Sequence, residues 1–521
     1  MESGELLPRP GPPSVSTKPA GERGGWRAAH FLLVVVFLER VGFVGVEGNL
    51  IMYLTGPLGM STAAAAASTN AWTGTVLVLP LVGALAADSR LGRYAAVLTA
   101  GVLYLLGLGI LTVSSTQTEA ASAPSSAGLA FFYIALYLIA LAQGFHRPCA
   151  QALGADQFAP SHSDSDPSSH ASRSSFFNWY HFAIAWGYAV SLLALSYVED
   201  NIGWTVGFGA SWVIMVLCLA VFLIGARTYR AEQRVDGTPF VEAVRAWAAS
   251  IFRRRNATTD TERLLVPKPE EGKGLVAKLV PIWLLSLVFA AAMSQLHTLF
   301  TKQGSTLDRR IGETTGLVLP PAALQCIVSL TFIVMVPVYD GWLVPLARRL
   351  TVHGAGVTTL QRIGAGTAMA GLAMATAALV EARRLRVARD AGLVDQPDAA
   401  VPMSLWWVVP QYVLVGLGGV LGKIGLEEFF YDEVPDALRS VGVALSLSVM
   451  GAGSYVSGVL VSAIDWVTRR SGESWFHDNL NRAHLDYFYW ILAALVAMEL
   501  AVFAHFAKRF VYRSKSAGCD S

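Results

Sequence analysis

Two side chains of opposite charge, Glu39 and Arg40, stand side by side in an apolar run from about Phe31 to Leu54, with Glu47 two helical turns further on. A charge at mid-bilayer costs roughly 2.5–3.5 kcal/mol on insertion scales, so a spanning helix with three must turn them toward protein or a water-filled path. A carboxyl in such a place suits proton carriage: desolvation favours its neutral form, a nearby cation its ionised form, and conformation can tip the balance. The bland alternative is a static ion-paired cluster that only stabilises packing.

The elements that must position these charges are membrane-spanning helices. Of the residues, 54% are hydrophobic and only 15% charged, against about 25% charged in soluble chains. The net charge of +2 gives no reason to expect nucleic acid as a partner. Cys149, Cys218 and Cys326 lie in apolar runs and Cys519 in the tail, which is neither a disulfide framework nor a metal-site spacing. The first 27 residues hold Pro8, Pro10, Pro12, Pro13 and Pro19 without an apolar core, so they read as a disordered tail rather than a cleavable signal.

Apolar stretches near the bilayer-crossing length of about 20 residues fall at 28–53, 70–87, 94–113, 128–150, 177–197 and 204–226, and again at 275–300, 319–342, 358–381, 404–430, 440–464 and 486–511. The spacing predicts an all-α membrane protein of twelve transmembrane helices in two six-helix bundles, 28–226 and 275–512, flanked by cytosolic tails 1–27 and 513–521. A site at midplane between the halves is the expectation for such repeats. The polar linker 227–274 is expected to carry a surface-lying amphipathic helix over Pro239–Arg255, and Asn256-Ala257-Thr258 is a glycosylation pattern that this topology leaves unmodified. The Ser/His/Asp-rich stretch Ser161–Ser175, with His162 and His170, reads as a flexible loop rather than a metal site. Arg90, Arg93 and Arg253-Arg254-Arg255 place both termini in the cytosol; Arg309, Arg310, Arg383, Arg384, Arg469 and Arg470 run against that rule, and the first helices are taken to dominate.

Glu39-Arg40-Val41-Gly42-Phe43-Val44-Gly45, with Asn49-Leu50 and Tyr53-Leu54, resembles the first-helix signature of the proton-dependent oligopeptide transporters, in particular their plant nitrate and peptide branch. Ala87-Asp88-Ser89-Arg90-Leu91-Gly92-Arg93-Tyr94, Gly154-Ala155-Asp156-Gln157-Phe158, Phe176-Phe177-Asn178-Trp179, Thr306-Leu307-Asp308-Arg309, Pro337-Val338-Tyr339-Asp340, Leu360-Gln361-Arg362-Ile363-Gly364 and Glu428-Phe429-Phe430-Tyr431 extend the resemblance over about 28–512. The resemblance implies a major facilitator fold that moves a small anionic or zwitterionic solute, of the nitrate or di/tripeptide class, by alternating access, with protons as the coupling ion and no other cofactor. It implies proton coupling through Glu39, Arg40 and Arg147, a pocket including Phe43, Asn49, Gln295, Gly419, Lys423 and Glu428, and a cytosolic gate of Asp88, Arg90 and Arg93; beside the gate, Asp156 and Arg173 are candidates for the same charge network, and the Ser89 hydroxyl is a candidate phosphorylation position.

The chain departs from the family pattern at several of these places. Val36 stands where a second glutamate is usual, Arg147 where a lysine is usual, Gly419 where an acid is common, Ala185 where asparagine precedes Gly187, and Phe43-Val44 replace a tyrosine pair. Arginine resists the deprotonation open to a buried lysine. An uncoupled facilitator or transporter-like receptor of the same fold, or a carrier of a carboxylated metabolite or hormone, is therefore the alternative reading. Lys423 either pairs with Glu427 four residues on or faces the pocket, and Gly416, Gly418, Gly419, Gly422 and Gly425 make its helix bendable. His297 is a further titratable candidate.

Arg40, Arg147 and Lys423 favour an anion or carboxylate on charge grounds, while Met293-Ser294 ahead of Gln295 offer no histidine to grip a small anion. No His-Glu-x-x-His, Gly-x-Ser-x-Gly or Walker loop is present, so an enzyme is not expected. The expected partners are the solute and the lipid bilayer, with no obligatory protein partner. Acidic dileucine patterns at Glu2–Leu7 and Asp260–Leu265 make the vacuolar membrane as credible an address as the plasma membrane.

Overall fold

The computed structural model describes residues 24–86, 91–120, 126–158, 167–230, 269–311, 318–339, 342, 358–434 and 439–510. Among them are twelve helices long and apolar enough to cross a bilayer: α1 Gly25–Thr55, α2 Thr62–Gly83, α3 Arg93–Glu119, α4 Ser126–Asp156, α5 Ser175–Asn201, α6 Trp204–Gly225, α7 Leu279–Ser305, α8 Pro321–Val338, α9 Thr359–Asp390, α10 Leu405–Glu433, α11 Gly442–Ser471 and α12 Leu485–Arg509. Each falls on one of the twelve apolar runs. Several outrun them, α9 most, because polar residues such as Arg383 and Arg386 prolong a helix beyond its greasy part wherever packing or water takes the side chains.

One expectation needs correction. The Ser161–Ser175 stretch is not loop throughout, since the helix leading into α5 begins at Pro167. Proline suits the first helical position, where its missing N–H is no loss. The expected amphipathic helix of the linker, the Asn256 pattern and both dileucine patterns lie outside the described residues.

In the first bundle α3 packs on α4 and α6, α2 on α4, and α1 on α5 and α6; in the second α9 packs on α10 and α12, and α7 on α11 and α12. The bundles meet chiefly along α2 and α11. There Gly74 and Gly451 let the backbones touch, for a Cβ on either would sit 3.0 Å from the other's carbonyl oxygen. Lipid tails are as apolar as leucine, so this close packing, rather than flight from water, holds such helices together. Phe131, Ile134, Leu217, Ile224, Leu284 and Val459 are exposed on the outside of the molecule, which suits a surface facing acyl chains and would be a liability in water.

Aromatic side chains fill the interior of each bundle toward the end of the molecule where α1 finishes. Tyr53 contacts Phe132, Trp204 and Phe208 at centroid distances of 5.1–5.4 Å, and Phe300 contacts Tyr412 and Tyr489 at 5.7 and 5.5 Å. A short parallel pairing of β1 (Leu307–Asp308) with β2 (Val401–Ser404) ties the loops at this far end.

Polar contacts between bundles, among the described residues, lie from mid-membrane to the far end. Lys302 Nζ donates to Thr55 Oγ1 (2.9 Å), Arg309 pairs with Asp200 (2.9 Å), the Thr62 N–H donates to Asp478 Oδ1 (2.9 Å), and the Gln325 amide donates to the Gly48 carbonyl (2.9 Å). At the near end, where α1 begins and α12 finishes, Arg93 pairs with Asp156 and Arg362 with Glu428 (2.8 Å), each inside its own bundle. The far end is latched shut across the bundles by these contacts.

Candidate functional site

Glu39 sits in α1, 1% exposed, and faces the interior of the first bundle. Of the two environments open to such a charge, protein or a wet path, it has protein. Tyr104 of α3 donates its hydroxyl to Glu39 Oε1 at 2.6 Å. On the other oxygen, Arg40 Nη2 lies at 3.4 Å and His146 Nδ1 of α4 at 3.7 Å. Gln143, one turn before His146, closes the ring. Its surroundings orient the amide so that the nitrogen donates to Glu39 Oε1 (2.6 Å) and the Tyr104 hydroxyl (2.5 Å) while the oxygen accepts from Arg40 Nη2 (3.1 Å).

Arg40 is held between rings. Its guanidinium carbon lies 5.4 Å from the centroids of both Phe43 and Tyr188, within cation–π range. The stem presses on Gly187 of α5, where a Cβ would come within 2.6 Å of Arg40 Cβ, so only glycine fits without displacement. Tyr188 in turn donates to Glu47 Oε2 at 3.4 Å. The three charges of α1 thus form one string, Glu39 to Arg40 to Tyr188 to Glu47, running toward the space between the bundles. From the second bundle, the half-buried Lys423 of α10 comes into the field of Arg147, Glu427, Glu47 and Arg40. Arg147 and Lys423 make no hydrogen bond or ion pair with any described residue.

The structure divides the other expected site residues. Gln295 reaches the bundle interface: its amide donates to Ser457 Oγ at 2.7 Å, and Asn70 of α2 donates to the same oxygen at 3.0 Å. Phe43 is buried, stacked on Trp72 at 5.8 Å, and acts on the site through Arg40. Asn49 is not beside Glu39 but at the far end, donating to the buried Glu199 at 3.1 Å. Gly419 opens no space, because Phe332 of α8 fills it; a Cβ there would lie 2.5 Å from the ring. Glu428 is half exposed and braces Arg362, whose guanidinium also donates to the Val420 carbonyl at 3.0 Å and lies 4.3 Å from the Tyr339 ring. The proposed Lys423–Glu427 pair is not formed. A wide turn over Gly419–Lys423 adds a residue to the helical repeat just ahead of this pair.

Arg147 stands near Glu39 electrically, yet the side chain that touches the carboxylate from α4 is its neighbour His146. His297 hydrogen-bonds Gln325 Oε1 at 2.9 Å and belongs to the far-end strut. Of the gate residues, Arg93 pairs with Asp156; Asp88, Ser89 and Arg90, like the side chain of Arg173, lie outside the described residues. Tyr104, Gln143, His146, Tyr188, Asn70 and Ser457 were missed. The only sequence signal for them was a polar side chain inside an apolar run. No group of three or more His, Cys, Asp or Glu among the described residues is placed to hold a metal ion.

A family model described as "POT family" matches residues 94–476. "Protein NRT1/ PTR FAMILY 5.10" of Arabidopsis thaliana is 46% identical over 534 residues, covering 95% of each chain. Two solved structures share the fold at lower identity. "Crystal structure of auto inhibited POT family peptide transporter" superposes with a TM-score of 0.75 at 19% identity, covering 95% of this chain and 99% of that one. "Crystal structure of a POT family transporter in complex with 5-aminolevulinic acid" gives 0.68 at 16%, covering 93% and 96%.

Proposed function

The chain belongs to the POT family and is a multi-pass membrane transporter, not an enzyme, and from that premise we propose that it moves a small anionic or zwitterionic solute by alternating access, coupled to protons. The observation that carries this reading is that Arg147 and Lys423, cations from opposite bundles, lie within electrostatic range of each other, with no ion pair from either to a described carboxylate. Two like charges brought together in a half-dry cleft repel unless an anion lies between them. A solute carboxylate or a nitrate answers that need, and its binding would draw the bundles together at the near end. The relative bound to 5-aminolevulinic acid supports a ligand carrying an acid group.

Proton coupling rests on Glu39, with Arg40 as the cation that holds its charge in this conformation and Arg147 as the candidate partner in the other. The two bundles, 28–226 and 275–512, are the moving units in this reading, joined by the 227–274 linker. Lysine and arginine in the short loops of the first bundle put the near end in the cytosol, so the latched far end is the outer one. Plasma and vacuolar membranes remain the two proposed addresses.

The test is a panel of labelled nitrate, dipeptides and carboxylated metabolites offered to cells expressing the full chain at two external pH values, with current recorded. Uptake of one class, stimulated by external acid and lost in Glu39→Gln, is expected. Lys423→Ala should weaken apparent affinity about 10- to 100-fold, the worth of one charge-assisted hydrogen bond of about 1.5–3 kcal/mol. Flux indifferent to pH and to Glu39→Gln overturns the coupling.

A further inference from the structure

We propose that Glu39 and His146 are one proton-binding site, a carboxyl and an imidazole that share a single exchangeable proton inside the first bundle. The inference rests on the proton-coupled reading above and names the group that accompanies Glu39. His146 is 4% exposed, and its Nδ1 lies 3.7 Å from Glu39 Oε2. That is longer than a hydrogen bond and shorter than any separation that would leave the groups electrically independent. Its other nitrogen, Nε2, has no hydrogen-bond partner. A buried imidazole nitrogen left without a partner is costly, a cost that static packing gives no reason to carry.

The groups facing the imidazole are few. From α1 come Glu39 and Arg40, from α3 Tyr104, whose ring meets the imidazole at 6.3 Å and 67°. From α4 itself come Gln143 and Arg147, and Tyr180 and Tyr188 of α5 and Cys218 of α6 share the field of Glu39. The Cys218 thiol is engaged with the Val35 carbonyl at 3.4 Å. Glu39 is thus the one carboxylate in contact with His146 among the described residues, and Arg40 balances it.

With Glu39 ionised, Arg40 charged and His146 neutral, the cluster is formally uncharged. One proton from water, resting on Glu39 Oε2 or on His146, makes it a single positive charge whichever oxygen or nitrogen holds it. No other bond forms or breaks. Because Arg147 follows His146 directly in the chain, that charge appears beside the cations that face the cleft. A proton and an anion bound this close favour each other, and the favour is reciprocal.

Infrared pH titration of the full-length chain in lipid bilayers tests the pairing without a transported solute. A carboxylic C=O band that titrates in the unsubstituted chain is expected to vanish in Glu39→Gln. In His146→Gln, which removes the second seat for the shared proton, its midpoint should fall by about one pH unit or more. A His146→Gln chain that elutes as a single species with the Glu39 midpoint unmoved overturns the inference, since a merely structural histidine gives that result. Should His146→Gln not fold, the 15N-histidine signal of the unsubstituted chain decides: a midpoint shared with the carboxyl band supports the pairing, and separate midpoints overturn it. A shared midpoint in a chain whose flux ignores pH would sink the coupled-transport reading while leaving the pairing intact.

Discussion

Each bundle buries a glutamate beside an arginine, and the two pairs are built to opposite ends. In the second bundle Arg384 and Glu381, both 0% exposed, meet through two bonds, Nη2 to Oε1 at 2.6 Å and Nε to Oε2 at 2.9 Å. Gln303 donates to the same carboxylate at 2.9 Å, and two of the three remaining guanidinium hydrogens go to Asn481 Oδ1 (2.8 Å) and the Leu480 carbonyl (2.6 Å). In the first bundle Glu39 and Arg40 approach only to 3.4 Å, Arg40 Nε has no partner, and neither has His146 Nε2. A saturated pair resists any change of charge, whereas a loose one surrounded by titratable neighbours admits it. Burial alone therefore does not separate the two pairs; unspent hydrogen-bonding capacity does.

The comparison can be broken at its strongest point first. Arg384→Ala leaves a carboxylate and two amides buried without their partner and should destabilise the chain by about 3–5 kcal/mol, read as a large fall in melting temperature or loss of folded protein in detergent. A melting temperature equal to that of the unsubstituted chain would erase the distinction. Next comes the far-end latch. Asp200→Asn removes the partner of Arg309, each side chain about one-fifth exposed, at a cost of about 1 kcal/mol. Because the loss falls on the latched conformation alone, a cysteine-accessibility assay should show the far end open about five times more often, with melting little changed. Last is the half-exposed brace at the near end. Glu428→Gln should change stability by less than about 1 kcal/mol and leave solute affinity unchanged, which separates it from Lys423, five residues earlier on the same helix.

The sequence made the spans legible because hydrophobic length is a property of a stretch and survives ignorance of everything around it. Glu39 and Arg40 were legible for the same reason, as charges where the bilayer tolerates none. Rotation about each helix was not. Consecutive residues point about 100° apart, so nothing on the page of letters says that His146 rather than Arg147 meets Glu39. Five residues from Lys423 turn the helix by about 140° beyond a full revolution, and that carries Glu428 away from the cleft toward Arg362. The wide turn at Gly419–Lys423 changes which faces the residues on either side of it present, and no composition rule announces such a turn. The Asn70–Ser457–Gln295 contact joins three spans separated by hundreds of residues, and each member alone is an ordinary polar side chain.

In the alternating-access reading proposed above, that contact has a sequel. Ser457 and Gln295 travel together on α11 and α7, while Asn70 departs with α2. In that movement one amide loses its acceptor as the passage widens, which would offer a passing solute a hydrogen-bond donor left wanting by the opening itself.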